Sequence, residues 1–199
     1  IDAVLLSHDH HLDNLDNSGN TMLKDAGKVL TTEDGAGRLG GNAVGLKPWE
    51  SIDLKSSDGR AIRVTGTPAR HGPPDGDRGP VIGFILSSAD DPDNAVYISG
   101  DTVWYEGVLE VAKRFPIRIA VLFMGAARVA VAGPANLTFT AEEGVQAARA
   151  FADAAIVPLH YEGWEHFSES RTEIDTAFSK AGLEGRLRWL NPGCATDIP

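Results

Sequence analysis

The chain has 199 residues, a formal net charge of −10, and 42% hydrophobic against 23% charged residues, enough for one globular domain with a buried core. The acidic balance argues against a phosphate-backbone ligand, because nucleic-acid binders need a basic footprint, and against electrostatic docking on anionic lipid. No apolar run reaches the length of a bilayer span, so membrane insertion is not expected.

Ile1 to Ser7 reads as a buried strand around the apolar run Ala3-Val4-Leu5-Leu6, and it stops at a histidine-rich polar turn. A natural chain seldom starts inside a core strand, so residues upstream of Ile1 are expected to be missing. After the break Asn17-Ser18-Gly19-Asn20, a short helix over 21–26 is closed by Gly27, and 28–31 returns as a strand. The stretch 35–41 is glycine-rich but lacks the Lys-Ser/Thr ending of a phosphate-binding loop, and it reads as turn chemistry. Strands follow over 51–54, 61–65 and 81–87, with Asp58-Gly59 as a hairpin signal between the first two.

The run Asp90-Asp91-Pro92-Asp93 predicts a turn before a strand over 95–99. A helix over 107–115 is ended by Pro116, and 119–123 is a further buried strand. Thr140-Ala141-Glu142-Glu143 is a capping box that opens a helix with its apolar face on Val145, Ala148 and Phe151. A strand over 155–159, a helix over 169–181 ended by Gly182, and a last strand over 187–190 complete the chain. A β-rich first half followed by alternating helices and strands predicts a layered α/β sandwich, a single domain over 1–199. The one cysteine, Cys194, cannot form an intrachain disulfide, and no signal peptide is visible; both fit a reducing, cytoplasmic setting.

Chemistry concentrates at strand ends. Ser7-His8-Asp9-His10-His11-Leu12-Asp13-Asn14 packs three imidazoles and several carboxylates into one turn after the first strand. Such donors suit zinc, manganese or iron. Three later segments repeat the pattern: Thr67-Pro68-Ala69-Arg70-His71, Ser99-Gly100-Asp101-Thr102 and Val157-Pro158-Leu159-His160 each place one metal-compatible side chain after a strand. Any one alone is more often a turn, a cap or a packed histidine; four converging strand ends make an active site the better account. Trp104, Tyr105, Tyr161 and Trp164 follow these motifs and are candidates for a pocket rim, although such aromatics usually serve packing. Arg70 is a candidate contact for an anionic group, and His166 reads as a surface residue. No Gly-x-Ser-x-Gly elbow is present, and Cys194 lies away from every histidine motif, which argues against a serine or cysteine nucleophile.

These four ordered motifs resemble the metallo-β-lactamase superfamily, whose signature is H-x-H-x-D-H followed by a distant His, an Asp and a final His. The match runs from the first strand to His160. More narrowly, the motifs resemble the branch that holds ascorbate-6-phosphate lactonases and N-acyl-phosphatidylethanolamine phospholipase D. The resemblance implies a four-layer αββα sandwich whose N-terminal strands are missing from this chain. It implies a hydrolase that activates water on one or two divalent ions, zinc first and manganese or iron next, to attack a small ester, lactone, amide or phosphodiester. By that resemblance His8, His71 and one of His10 or His11 hold one ion, Asp13 and His160 hold the second, and Asp101 bridges. Asp13 also orients the water, which makes Asp13 and Asp101 the catalytic carboxylates.

The motif departs from the family by one inserted residue. Kept from the left, the register makes His10 the second ligand; kept from the right it makes His11, which preserves the local H-x-D spacing and is favoured. Asn14 then stands where the family has its last histidine, leaving the second ion weaker, absent or completed by His10. Two alternatives from other classes stay open, a di-iron oxidoreductase on the same scaffold and a non-catalytic metal-binding relic. A nuclease is disfavoured by the charge.

Overall fold

A computed structural model describes residues 1–55, 59, 61–75, 78–88 and 90–198. Strands β1 (Val4–Leu5), β2 (Val29–Thr31) and β3 (Ala43–Gly45) form a parallel three-stranded sheet in that order. Strands β4 (Ser51–Lys55), β5 (Ala61–Pro68), β6 (Ile82–Ser88), β7 (Asp91–Ile98), β8 (Ile117–Phe123) and β9 (Ala155–Leu159) form a second sheet in sequence order. It is antiparallel from β4 to β7 and parallel from β7 to β9. The helices are α1 (Asn17–Met22), α2 (Glu33–Leu39), α3 (Glu106–Arg114), α4 (Ala141–Ala150) and α5 (Arg171–Lys180).

Three apolar clusters hold these elements in four layers. Leu30, Leu46, Val64, Ile82 and Phe84 are buried between the sheets, with Leu5, Val44, Ile52 and Leu54 packed against them. Each such side chain contributes about 1.5–3 kcal/mol when fully removed from water. On the outer face of the small sheet, Leu6, Leu23, Ala26 and Val29 pack with Leu15 and Leu39. On the outer face of the large sheet, Tyr97, Leu122 and Ile156 cluster with Val108 and Val111 of α3, Val145 and Ala148 of α4, and Ile174 and Phe178 of α5. The architecture is the αββα sandwich that the sequence predicted.

The Thr140 box acts as read: Thr140 accepts from the backbone of Glu143 while Glu143 reaches back to the Thr140 N–H, starting α4. Ser170 and Glu173 do the same for α5, so that helix starts after Ser170 and not at 169. Other expectations need correction. The glycine-rich stretch is no turn: Thr32 caps α2, the acids Glu33 and Asp34 fill its first turn, and the helix runs to Leu39 despite Gly35 and Gly37. The segment read as a break, 17–20, is the body of α1, capped by Asp16, and 23–25 continues as a 3-10 turn. The predicted first strand narrows to Val4–Leu5, both only partly buried. The turn at Asp90-Asp91-Pro92-Asp93 gives way to β7, which begins at Asp91. The last strand reduces to a single bridge between Leu187 and Ile156. Asp58 of the Asp58-Gly59 signal lies outside the described residues; β4 and β5 on either side of it pair antiparallel.

Candidate metal centre

Strands β5, β7 and β9 end at the same edge of the large sheet, because β5 and β7 both run antiparallel to β6 and β9 runs parallel to β7 through β8. The end of β1 is tied to that edge by the Ile82 N–H, which donates to Ser7 O at 3.0 Å. His8, His71, Asp101 and His160 follow these four strand ends, so the topology brings them together. Gly100 sets the approach of Asp101: its φ is +60°, and a Cβ there would lie 2.8 Å from Ser7 Cβ and from Ile82 O. His160 itself sits in the left-handed region at φ 56°, a strained backbone of the kind that collects at functional sites. Gly125 permits it, since a Cβ at 125 would meet His160 O at 2.6 Å.

One group of donors is largely buried: His8, His71 and Asp101 are buried and His11 half-buried. His8 Nε2 lies 3.2 Å from His11 Nδ1, and His71 Nε2 lies 3.3 Å from the same atom. Asp101 Oδ2 is 3.8 Å from both His8 Nε2 and His71 Nε2. Hydrogen bonds on the far ring nitrogens aim the lone pairs inward. His71 Nδ1–H donates to Leu137 O at 2.8 Å, and His8 Nδ1 meets Ser7 Oγ at 2.8 Å. Burial drives the His8 pKa down to about 2 and that of His71 down to about 4, with their neighbouring imidazoles adding to the fall for both. His11 is lowered as well, by burial first and His10 second. Neutral imidazoles with inward lone pairs are the state in which histidine binds a cation.

A second group faces it across Asp101. Asp101 Oδ1 is 3.8 Å from His160 Nδ1, and burial holds the His160 pKa near about 4. Burial, with Asp13 nearby, pushes the Asp101 carboxyl up to about 7. Asp13 Oδ2 is 3.3 Å from His166 Nε2. Among the described residues, Asp101 Oδ1 and both ring nitrogens of His160 are buried without a hydrogen-bond partner. An unsatisfied buried polar atom costs about 1–3 kcal/mol, more when charged. A divalent cation in this oxygen and nitrogen set removes that cost, so the donors fit one. Zinc, manganese and iron all accept such donors.

The remaining predicted residues distribute as follows. His10 lies in the exposed part of the turn with Nε2 2.6 Å from Arg78 O, although its ring also comes within reach of His8 and His11. Asn14 faces away: its amide donates to His8 O and its carbonyl oxygen accepts from Ser7 Oγ at 3.4 Å. Asp9 turns to α2, where Arg38 donates to it at 2.6 and 2.8 Å and holds its carboxyl below the usual range. A cavity of about 340 Å³ opens over the centre, lined by Leu12, Val129, Leu137, Trp164 and Arg78 besides the histidines and aspartates. Of the four candidate rim aromatics only Trp164 lines it; Arg70 does not, and instead stacks over Tyr105 at 4.5 Å. His166 is not a surface residue: it lines the same cavity. The chain has six histidines. All of them lie in this one cluster, which is the signal that a reading by strand ends passed over.

The fold and site define a class: a two-sheet αββα protein with a histidine and aspartate pocket at the ends of its strands. The chain belongs to the family described as Beta-lactamase superfamily domain, which matches residues 1–161. It is similar to a UPF0173 metal-dependent hydrolase of Natranaerobius thermophilus, with 30% identity over 164 residues that cover 81% of this chain and 65% of that one. The chain thus spans under two thirds of that relative's length. A UPF0173 metal-dependent hydrolase of Caldivirga maquilingensis is 22% identical over 207 residues, covering all of this chain and 81% of the relative. In fold, the chain is similar to the isothiocyanate hydrolase from Delia radicum gut bacteria, with a TM-score of 0.81, 24% identity, and coverage of 100% of this chain and 77% of that one.

Proposed function

We propose that this chain is a metal-dependent hydrolase that adds water to a small electrophilic substrate at a centre bridged by Asp101. The observation that carries the reading is the two-sided position of Asp101, with Oδ2 toward His8 and His71 and Oδ1 toward His160. In this reading His8, His11 and His71 hold one cation, zinc first, and Asp13 and His160 contribute to a second. Metal ions at such a site lower the pKa of water and polarise the bond under attack. The side chains supply the rest. Asp13 orients the attacking water and takes its proton; Asp101 keeps the two donor groups in register; Leu137 O and Ser7 hold His71 and His8 in the required tautomers. Leu12, Val129, Leu137 and Trp164 give the cavity an apolar wall, and Arg78 adds a cation at its edge. These suit a small substrate with an apolar body. Esters, lactones, amides and phosphodiesters form the panel, with lactones favoured by the narrower sequence likeness and isothiocyanates added from the structural relative.

The test is elemental analysis of protein purified without added metal, followed by the panel with and without chelator. Bound zinc, and a hydrolysis that chelator abolishes and zinc restores, are expected. A His71→Ala, Asp101→Ala double variant should lack both. Folded, metal-free protein that hydrolyses nothing in the panel after zinc addition would sink the reading. Iron with redox activity would replace it with the oxidoreductase.

A further inference from the structure

We infer that His166 is a ligand of the second cation, supplied from the loop after β9 in place of the histidine that this chain lacks at position 14. The inference rests on the hydrolase reading above and specifies its second site as Asp13, Asp101, His160 and His166.

Asn14 cannot serve there. Its side chain is spent on His8 O and Ser7 Oγ, and it lines a separate apolar recess with Leu6, Leu15 and Phe84, not the metal cavity. The donor set on that side would otherwise hold only one imidazole, His160. His166 makes up the shortfall: its Nε2 is 3.3 Å from Asp13 Oδ2, and both side chains are 20% exposed at the cavity wall. Its ring centroid is 6.4 Å from that of His160, whose two nitrogens are buried and unpartnered.

The position of His166 is built rather than incidental. The Arg128 N–H donates to His166 O at 2.8 Å, Ser168 N–H donates to Gly125 O at 2.9 Å, and Ser168 Oγ donates to Ala126 O at 2.7 Å. These bonds pin the loop onto the segment that also supports His160. Trp164 stacks on the imidazole at 6.0 Å and Phe167 meets it edge-on at 4.6 Å. A ring held on two sides has little rotamer freedom left to lose on binding a cation.

The rival account is that His166 merely hydrogen-bonds to Asp13. Two variants separate the accounts. His166→Gln keeps a donor for Asp13 but is a poor ligand; His166→Phe removes both roles while keeping the aromatic packing. Zinc stoichiometry and stepwise affinity would be measured by competition with a chromophoric chelator, and the absorption bands of the cobalt-loaded protein recorded. Wild type should bind two ions. Both variants should keep the tighter ion and bind the other more weakly by a factor on the order of 100 or more, with loss of the matching cobalt band. Unchanged second-ion affinity in both variants, or retention in His166→Gln alone, overturns the inference. So does a wild type that binds one ion only. A wild type that binds none overturns the hydrolase reading itself, so the two failures are distinct.

Discussion

Replacing Asp101 by asparagine should stabilise the metal-free protein and destabilise the metal-loaded one. Asp101 is 2% exposed, and its carboxyl is pushed from the ordinary 3.8 up to about 7, chiefly by burial. A folded-state pKa above the unfolded one means that the native state holds its proton longer. The Asp101 contribution to stability is therefore full below about pH 4, falls as the pH rises, and levels off above about 7. The shift is roughly 3 units at about 1.36 kcal/mol each, so ionised Asp101 costs the stripped protein about 4 kcal/mol at pH 8. Relaxation of the pocket lowers that ceiling. The Asn variant avoids the cost with nearly the same shape. In urea with chelator, it should gain up to about 4 kcal/mol over wild type at pH 8, roughly 8–16 °C in Tm, and close to nothing at pH 4. At pH 8 the three buried histidines, held to about 4 or below, are neutral in both proteins and cancel in the difference. With saturating zinc the order should invert, because the bridging ligand has been lost. An Asn variant no more stable than wild type in chelator at pH 8 would refute the argument.

Metal-free wild type should lose stability as the pH falls from about 6.5 to 4, because His71 and His160 are held to about 4 and the unfolded chain takes up protons first; chemical denaturation across that range measures it. Gly100→Ala should cost about 2–4 kcal/mol, combining left-handed strain with the clash on Ser7 and Ile82, and a thermal melt would show it. His11→Ala should abolish the tighter metal site while His10→Ala leaves zinc stoichiometry unchanged, as read by elemental analysis. Asn14→His should gain no metal and lose about 1–3 kcal/mol in urea denaturation, since it breaks the bonds to His8 and Ser7 and pushes an imidazole toward Leu15 and Phe84.

Most of the scaffold was legible because its signals are local. Continuous apolar runs marked β8 and β9, and the Thr140 box marked α4; neither depends on distant contacts. Helix α2 was not, because glycines at 35 and 37 argue against helix; the one tertiary reason is at Gly35, where a Cβ would lie 3.2 Å from Asp9 Oδ1, and a Cβ at Gly37 would meet nothing within 4 Å. Strand β3 is three residues, the last of them Gly45, and owes its existence to pairing with β2. His8, His71, Asp101 and His160 could be found because each follows a strand. His166 follows none; a loop pinned to the 125–128 segment by backbone hydrogen bonds carries it in, and no sequence pattern encodes such a bond.

On the proposed reading, the residue inserted in the first motif accounts for the exchange of a histidine at 14 for His166. The Leu15 N–H donates to His11 O at 2.9 Å and the Asn14 N–H to the same oxygen at 3.2 Å, so the chain winds through one tight turn from 11 to 15. Within that turn His11, Leu12 and Asp13 face the cavity and Asn14 faces the opposite recess. A histidine at 14 would have no cation to meet there. An amide at that place instead ties down His8 O and the hydroxyl that sets the His8 tautomer, which makes Asn14 a support for the first donor group. Leu12, 71% exposed, is left as an apolar lip on the cavity. The same turn that directs Asn14 away from the cavity thus braces His8 and, on the proposed reading, leaves the far wall, where His166 Nε2 is 3.3 Å from Asp13 Oδ2, to supply the imidazole.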